Sequence, residues 1–374
     1  MASTFLLRLT DRLDDRRRRA RPRPGPARGL LLISAGGLGD TVLFSLVLDR
    51  FAALAEAGEP VTVLLRSDAA KMAFLFPDTV TVEAVDFAKL RHDRAYRRQV
   101  HDGLYDAHYR QVIATDYLRH PDLDESCVRA AAAPALAMAP RPWPKHDRAL
   151  DRNRTLYTRL FDSGRARRDK VLRWAAFADW LTGTEAPAPV VRLPESRLPA
   201  PAQTERPTVL IQAFSAVGLK QVPPAFYGPL LDALPENTDV RLLGAPGDLD
   251  RFPEFKALLE RPGVTFDASR FAELVPLLRA ADLVVSVDTA LMHLAAAVGA
   301  PTLCLASAAY VGEIVPYDDA IMPPNLRVMY EPMPCEGCLG DCINLPRKGM
   351  YPCVWHLDPA AARDAALDMM GARP

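Results

Sequence analysis

Residues Asp282 to Ala306 read DLVVSVDTALMHLAAAVGAPTLCLA, a pattern of strand, turn and helix. The short, largely β-branched run Leu283–Val287 suits a parallel strand buried on both faces. Asp288 and Thr289 fall where that strand gives way to a helix, and both residue types are favoured N-caps. The helix expected over Ala290–Val298 is almost wholly apolar; Gly299 ends it, with Pro301 just beyond. Its one polar residue, His293, lies a turn in from Thr289 on the same face. Asp288, Thr289 and His293 thus crowd the positive end of a helix at the C-terminal edge of a strand, where open α/β sheets bind phosphorylated ligands. An ordinary cap beside a hydrogen-bonded, half-buried histidine would be written in the same letters.

The same strand–helix rhythm recurs on both sides of this stretch. Upstream, strand Leu30–Ser34 runs into the turn Ala35-Gly36-Gly37-Leu38-Gly39-Asp40. A helix expected from Thr41 to about Ala57 follows, ended by Gly58 and Pro60, and then strand Val61–Leu65, ending at Arg66. Glycines in that turn let a ligand approach the backbone, and Asp40 is held at the helix N-terminus. Prolines crowd residues 187–207, which marks a linker. After it the rhythm restarts: strand Thr208–Ala213, a loop of small residues to Lys220, and strand Asp239–Leu243 ending in Gly244-Ala245-Pro246-Gly247-Asp248. The expectation is an α/β chain of two facing Rossmann-like domains with a cleft between them. Its parts are an arm over 1–28, a first domain over 29–198, a linker over 199–207 and a second domain over 208–374.

A dinucleotide oxidoreductase is the rival on such sheets. Gly37-x-Gly39 supplies two fingerprint glycines, but Val42 holds the third position. Arg66, which suits NADP rather than NAD, stands where an acid would hold a ribose.

The 374 residues are enough for two full cores, and 49% hydrophobic with 25% charged residues describes a globular chain. No apolar run reaches the length of a membrane span. The formal net charge is zero, which gives no argument for nucleic acid. Charge is uneven, however: Arg16–Arg19, Arg21 and Arg23 crowd an arm read as disordered or loosely helical. Such an arm would be attracted to an anionic membrane by ~1 kcal/mol per basic residue. Between Lys89 and His120 the chain is rich in Arg, His and Tyr, read mainly as a solvated helical face with some residues turned to an anionic substrate. The N-terminus lacks the pattern of a secretory signal, so a reducing cytoplasm is expected, with peripheral attachment to the inner membrane face as an addition.

In that compartment the six cysteines read as thiols or metal ligands. Cys335-x-x-Cys338-x-x-x-Cys342 with Cys353 matches four-thiolate zinc or iron coordination, and Pro334, Gly337 and Gly340 permit its turns. Free or disulfide-bonded cysteines are the alternative for this finger over 334–354. Cys127 and Cys304 read as core.

Taken together, Gly39-Asp40, Lys220, the Gly244–Asp248 turn and the 288–299 motif resemble the family-9 glycosyltransferases, the lipopolysaccharide heptosyltransferases and their relatives. The resemblance covers roughly residues 29–360. DTALMHLAAAVGAP is its strongest part, GGLGDTVLF the next, and Tyr105-Asp106 with the strand to Asp116 a weaker third. Ala290 departs from the family's usual glycine. The late cysteines resemble a finger of the autotransporter-modifying branch, which brings in a protein acceptor.

The resemblance implies a GT-B enzyme that transfers a sugar, heptose above all, from a nucleotide-sugar donor such as ADP-heptose. The acceptor would be a glycan (lipopolysaccharide core) or protein hydroxyl. Transfer would invert the anomeric centre without a catalytic metal; Asp122-x-Asp124 and Asp248-x-Asp250 are spacings that recur by chance. Asp40 would be the base and Lys220 the partner of the leaving diphosphate. Gly37, Gly39, Asp288, Thr289 and His293 would hold the donor, with Asp248 at its ribose. A non-catalytic nucleotide-sugar-binding module is the remaining alternative.

Overall fold

The computed structural model describes residues 2–371, with side chains from Leu7 onward. Met1 and residues 372–374, the outermost parts of the expected arm and second domain, lie outside the described residues. The chain divides into two compact units, one running to Ala166 and resuming over Arg173–Pro187, the other made of Arg167–Leu172 and everything from Ala188. The expected boundary therefore moves upstream from 198, and a short piece of the first half belongs to the second unit.

Each unit is built on a six-stranded sheet. In the first, β1 (Leu30–Ser34), β2 (Val61–Arg66), β3 (Val80–Val85), β4 (Gln111–Ala114), β5 (Ala135–Met138) and β6 (Arg159–Phe161) lie in the order 3-2-1-4-5-6. In the second, β7 (Thr208–Gln212), β8 (Asp239–Leu243), β9 (Val264–Asp267), β10 (Leu283–Val287), β11 (Thr302–Leu305) and β12 (Leu326–Met329) lie in the order 12-11-10-7-8-9. Every pairing is parallel. Both orders reverse at their centre, between β1 and β4 and between β10 and β7. Loops at the C-terminal ends of those strands part at that point and leave room for a ligand. The central strands β1 and β10 are buried throughout, which is why their sequences run apolar without alternation.

Two expectations are corrected. The N-terminal arm is a helix, Ala2–Arg19, seated on the first unit. Nε and Nη2 of buried Arg97 donate side by side to the Asp11 carboxylate, at 2.7 and 2.6 Å. Arg8 donates to Asp122 at 2.7 and 2.8 Å, Arg18 to Asp102 at 2.9 Å and Arg98 to Asp14 at 3.1 Å. The charged helix Arg94–Asp106, expected to face solvent or substrate, is thus the arm's docking surface. Its His101 is buried with Nε2 at 3.1 Å from Ser126 Oγ, and burial pushes its pKa well below the usual range.

The proline-rich linker, for its part, is a strap laid along the second unit. The Val191 N–H donates to Ile321 O at 2.9 Å, Leu193 N–H to Ala297 O at 2.7 Å and Ala202 N–H to Pro276 O at 2.8 Å. Beside it Gly299 has φ +87°, and a Cβ there would fall 2.8 Å from the Arg192 guanidinium, so the helix ends where only glycine fits.

Candidate functional site

At the centre of the second sheet, β10 ends at Val287 and β7 at Gln212, and their loops bring two opposite charges together. Lys220 Nζ donates to Asp288 Oδ2 at 2.7 Å, with both side chains buried. The ammonium also stands 4.7 Å from the centre of the Tyr310 ring, a favourable cation–π distance. Asp288 leads into Thr289, the residue preceding helix Ala290–Ala297. The threonine hydroxyl makes no capping bond; it lies 3.5 Å from Ser286 Oγ. One turn on, His293 is buried, and its Nδ1 lies 2.5 Å from the Tyr317 hydroxyl. Burial, with Asp169, Cys304 and Asp288 nearby, pushes the Tyr317 phenol well above its usual pKa. Lys220, Asp288, Thr289 and His293 are thus gathered at one switch point and one helix N-terminus.

Asp248 lies one loop away, after β8. It opens a one-turn helix, Asp248–Arg251, and its Oδ2 accepts the Ala245 N–H at 2.7 Å. Gly244, in that loop, is needed for packing: a Cβ there would meet Phe214 and Phe266 at 2.9 Å.

The first unit has its own switch-point loop. The helix begins earlier than expected, at Leu38, and breaks into Leu38–Phe44 and Leu48–Ala52, so Gly39 and Asp40 lie in its first turn. Asp40 Oδ2 accepts the Gly37 N–H at 2.8 Å, a capping contact. A Cβ on Gly36 would lie 2.5 Å from Asp40 Cβ, so Gly36 is the glycine that lets this carboxylate fold back over the turn. From the adjacent β4 loop, Asp116 Oδ2 accepts the Ala35 N–H at 2.6 Å and braces the turn from behind.

The two positions that weaken the dinucleotide reading are otherwise engaged in the structure. Val42 is fully buried core, and Arg66 is forked onto Asp68 at 3.0 and 2.7 Å.

Cys335, Cys338, Cys342 and Cys353 border one small cavity together with Met333, Asn344 and Tyr351. All four are free thiols, and the Asn344 amide donates to Cys335 Sγ at 3.2 Å. Among the described residues no three His, Cys, Asp or Glu side chains are set at metal-holding distances. Four cysteines nonetheless border one space, with no carboxylate or histidine among its lining residues. Burial and the neighbouring Cys342 and Cys338 raise the Cys335 pKa, a repulsion that a bound cation would reverse. Cys127 and Cys304 are buried singly in the two cores.

Sequence reasoning missed Gly36 and Tyr317 as parts of these sites. Gly36 was visible as one of three glycines in the turn; Tyr317, 24 residues from its partner and outside any motif, carried no signal.

Two parallel six-stranded sheets, each with a polar site at its central reversal, define an α/β protein of two Rossmann-like domains. The sequence profile of glycosyltransferase family 9 (heptosyltransferase) matches residues 141–337. The chain belongs to that family and is a glycosyltransferase. Its fold is similar to that of the Escherichia coli ADP-heptose lipopolysaccharide heptosyltransferase II, with a TM-score of 0.61 at 16% identity over 91% of this chain and 98% of that one. The E. coli heptosyltransferase WaaC with ADP aligns with a TM-score of 0.64 at 18% identity, over 91% and 99% of the two chains. A family-9 glycosyltransferase from Veillonella parvula gives 0.65 at 13% identity, over 94% and 100%. No curated protein sequence matches. No described helix is long and apolar enough to cross a membrane.

Proposed function

We propose that this glycosyltransferase moves a heptose from ADP-heptose to a glycan hydroxyl of the lipopolysaccharide-core type, inverting the anomeric carbon. The observation that carries the reading is the buried Lys220–Asp288 pair beside Thr289 and His293 at the switch point of the second sheet. Solved relatives described with ADP and with ADP-2-deoxy-2-fluoro heptose support the choice of donor. In the proposed step the acceptor oxygen bonds to the anomeric carbon as the bond from that carbon to the diphosphate breaks. The hydroxyl proton passes to Asp40, and ADP leaves with the electron pair. Lys220 and the N-terminus of helix Ala290–Ala297 offset the charge gathering on the diphosphate, while Asp288, Thr289 and His293 orient the donor. Gly37 and Gly39 keep the backbone around Asp40 open, and Asp248 takes the ribose.

Asp40→Asn tests the assignment. The amide oxygen can still accept the Gly37 N–H, so folding and ADP binding should persist while transfer falls by ~10²-fold or more. Turnover within a few-fold of wild type would return Asp40 to a plain cap. Wild-type protein that binds ADP but neither transfers nor hydrolyses the sugar would favour a binding module, and transfer to a protein hydroxyl alone would replace the acceptor.

The cysteine cavity supports a structural ion, zinc or iron, held by Cys335, Cys338, Cys342 and Cys353. Four thiolates leave no open position, so the ion would order the finger and take no part in transfer.

A further proposal is peripheral contact with the anionic inner face of the cytoplasmic membrane. The outward side of the N-terminal helix carries Arg12, Arg16, Arg17 and Arg19 around Leu9 and Leu13, which are 44% and 54% exposed. The helix's acids Asp11, Asp14 and Asp15 are all paired with arginines instead. That segregation suits an interfacial helix. Co-sedimentation with vesicles should require phosphatidylglycerol, weaken with salt, and be lost when the four outward arginines become glutamine. Equal binding to neutral vesicles would refute it.

A further inference from the structure

We infer that Tyr317 is a positioning residue that fixes the tautomer of His293, so that the imidazole presents its proton at Nε2. This inference rests on His293 being part of the donor site, as proposed above, but the contact itself is independent of that reading. The Tyr317 hydroxyl and His293 Nδ1 are 2.5 Å apart and both side chains are buried, at 3% and 4% exposure. Between a neutral imidazole and a phenol only two arrangements exist. Either the phenol O–H donates to a bare Nδ1, or an Nδ1–H donates to the phenol oxygen. The first wins on chemistry, because phenol is the stronger acid and the imidazole nitrogen the stronger base. Burial, with Asp169, Cys304 and Asp288 close by, keeps the phenol from ionising, so it retains an O–H to donate. Once Nδ1 is an acceptor, the single imidazole proton must sit on Nε2. An imidazole in that state is a neutral hydrogen-bond donor at the helix N-terminus, the polarity that an anionic ligand requires.

The loop that carries Tyr317 is held in place by the short segment that departs from the first half of the sequence to join the second unit. Lys170 N–H donates to Glu313 O at 2.9 Å. The Asp169 carboxylate accepts the Val171 N–H at 2.8 Å and lies near the Asp318 N–H, next to the tyrosine. Arg167 lies against Gly312 and Gly337, where added Cβ atoms would fall 3.5 Å and 2.2 Å from its side chain. The phenol is therefore held from its own loop and from a second stretch of chain. The Tyr317 and His293 rings also touch, with centroids 5.7 Å apart, so phenylalanine in place of Tyr317 would keep the packing and lose only the hydroxyl.

The test is nitrogen-15 spectroscopy of the full-length protein with labelled histidine, the His293 signals being assigned by their loss in His293→Gln. Wild-type protein should show a pyrrole-type Nε2 and a pyridine-type Nδ1. Tyr317→Phe should average the two forms and weaken binding of ADP about ten-fold, the loss of one well-aimed bond to a charged ligand. A proton on Nδ1 in the wild type would overturn the inference with no variant needed, as would an unchanged tautomer and ADP affinity in Tyr317→Phe. Wild-type protein that failed to bind ADP would count against the transfer reading, while the tautomer measurement would still decide this one.

Discussion

Asp169 shows how a single buried group makes stability depend on pH. It is 5% exposed; its Oδ1 accepts the Val171 N–H, while Oδ2 has no partner in hydrogen-bonding geometry. Burial pushes its carboxyl up to about 7 from the usual 3.8, against the opposing pull of the Val171, Asp318 and Leu172 N–H groups. Between those two values the folded chain keeps a proton that the unfolded chain has released. The group's contribution to stability is therefore whole below the lower value and lost as pH rises through the upper one, with a slope of up to about 1.4 kcal/mol per pH unit. Asp169→Asn imitates the protonated form and keeps the Val171 contact. Relative to wild type it should flatten urea-derived stability across that window and be the more stable protein above it. Parallel pH profiles for the two would show that the carboxylate is satisfied as an anion. Nothing in the letters Arg168-Asp169-Lys170 marks such a group, because its burial is created by residues near 318. Asp288, by contrast, could be picked out from sequence, since its strand and helix are contiguous with it.

At the scale of elements, the strands and the helix after β10 were legible because each is written in consecutive residues: apolar runs for buried strands, Gly299 and Pro301 for the helix stop. The N-terminal helix was not. Its arginines and aspartates read as a solvated charge run, since their partners Arg97, Asp102 and Asp122 lie some 84 to 114 residues away. Pairing across that separation is invisible to local pattern. The anchor among these pairs is Asp11 with Arg97, whose Nη1 also donates to Leu90 O and Asp122 O at 3.0 and 2.9 Å. A buried pair contributes little over an apolar replacement, yet breaking one side leaves a stranded charge. Asp11→Ala should therefore cost about 3–5 kcal/mol in thermal or urea melts. Arg97→Met combined with Asp11→Leu should recover most of that loss, and Arg16→Ala on the outer face should stay within about 0.5 kcal/mol. If Asp11→Ala melts like Arg16→Ala, the helix is not seated as described.

Across the whole molecule, the strand–helix rhythm gave two α/β units, but not which unit each connecting segment joins. The strap after Pro187 and the piece Arg167–Leu172 both side with the second unit, through backbone hydrogen bonds that proline content and charge do not encode. The cysteine finger belongs to that unit too. Met350, Tyr351, Cys353 and Val354 enter its buried core, with Cys342 packed against it, while Ile343 and Leu345 at the finger's tip are 85% and 86% exposed. A segment with so little apolar surface of its own needs a tie to keep it folded, and the ion proposed for the clustered thiols would supply one. Purified protein should then contain about one zinc or iron per chain by elemental analysis. Chelation should speed hydrogen exchange through the finger and the loops bordering its cavity, near Ala308 and Ala309, and leave β1 to β6 of the first unit protected. Cys338→Ser should lose the ion nearly as completely as replacement of all four cysteines, because three thiolates and a hydroxyl are a poorer donor set for these ions. Metal-free protein with unchanged exchange, or mass spectrometry showing Cys335–Cys353 sulfurs joined as disulfides, would instead make the finger a thiol cluster stabilised by packing alone.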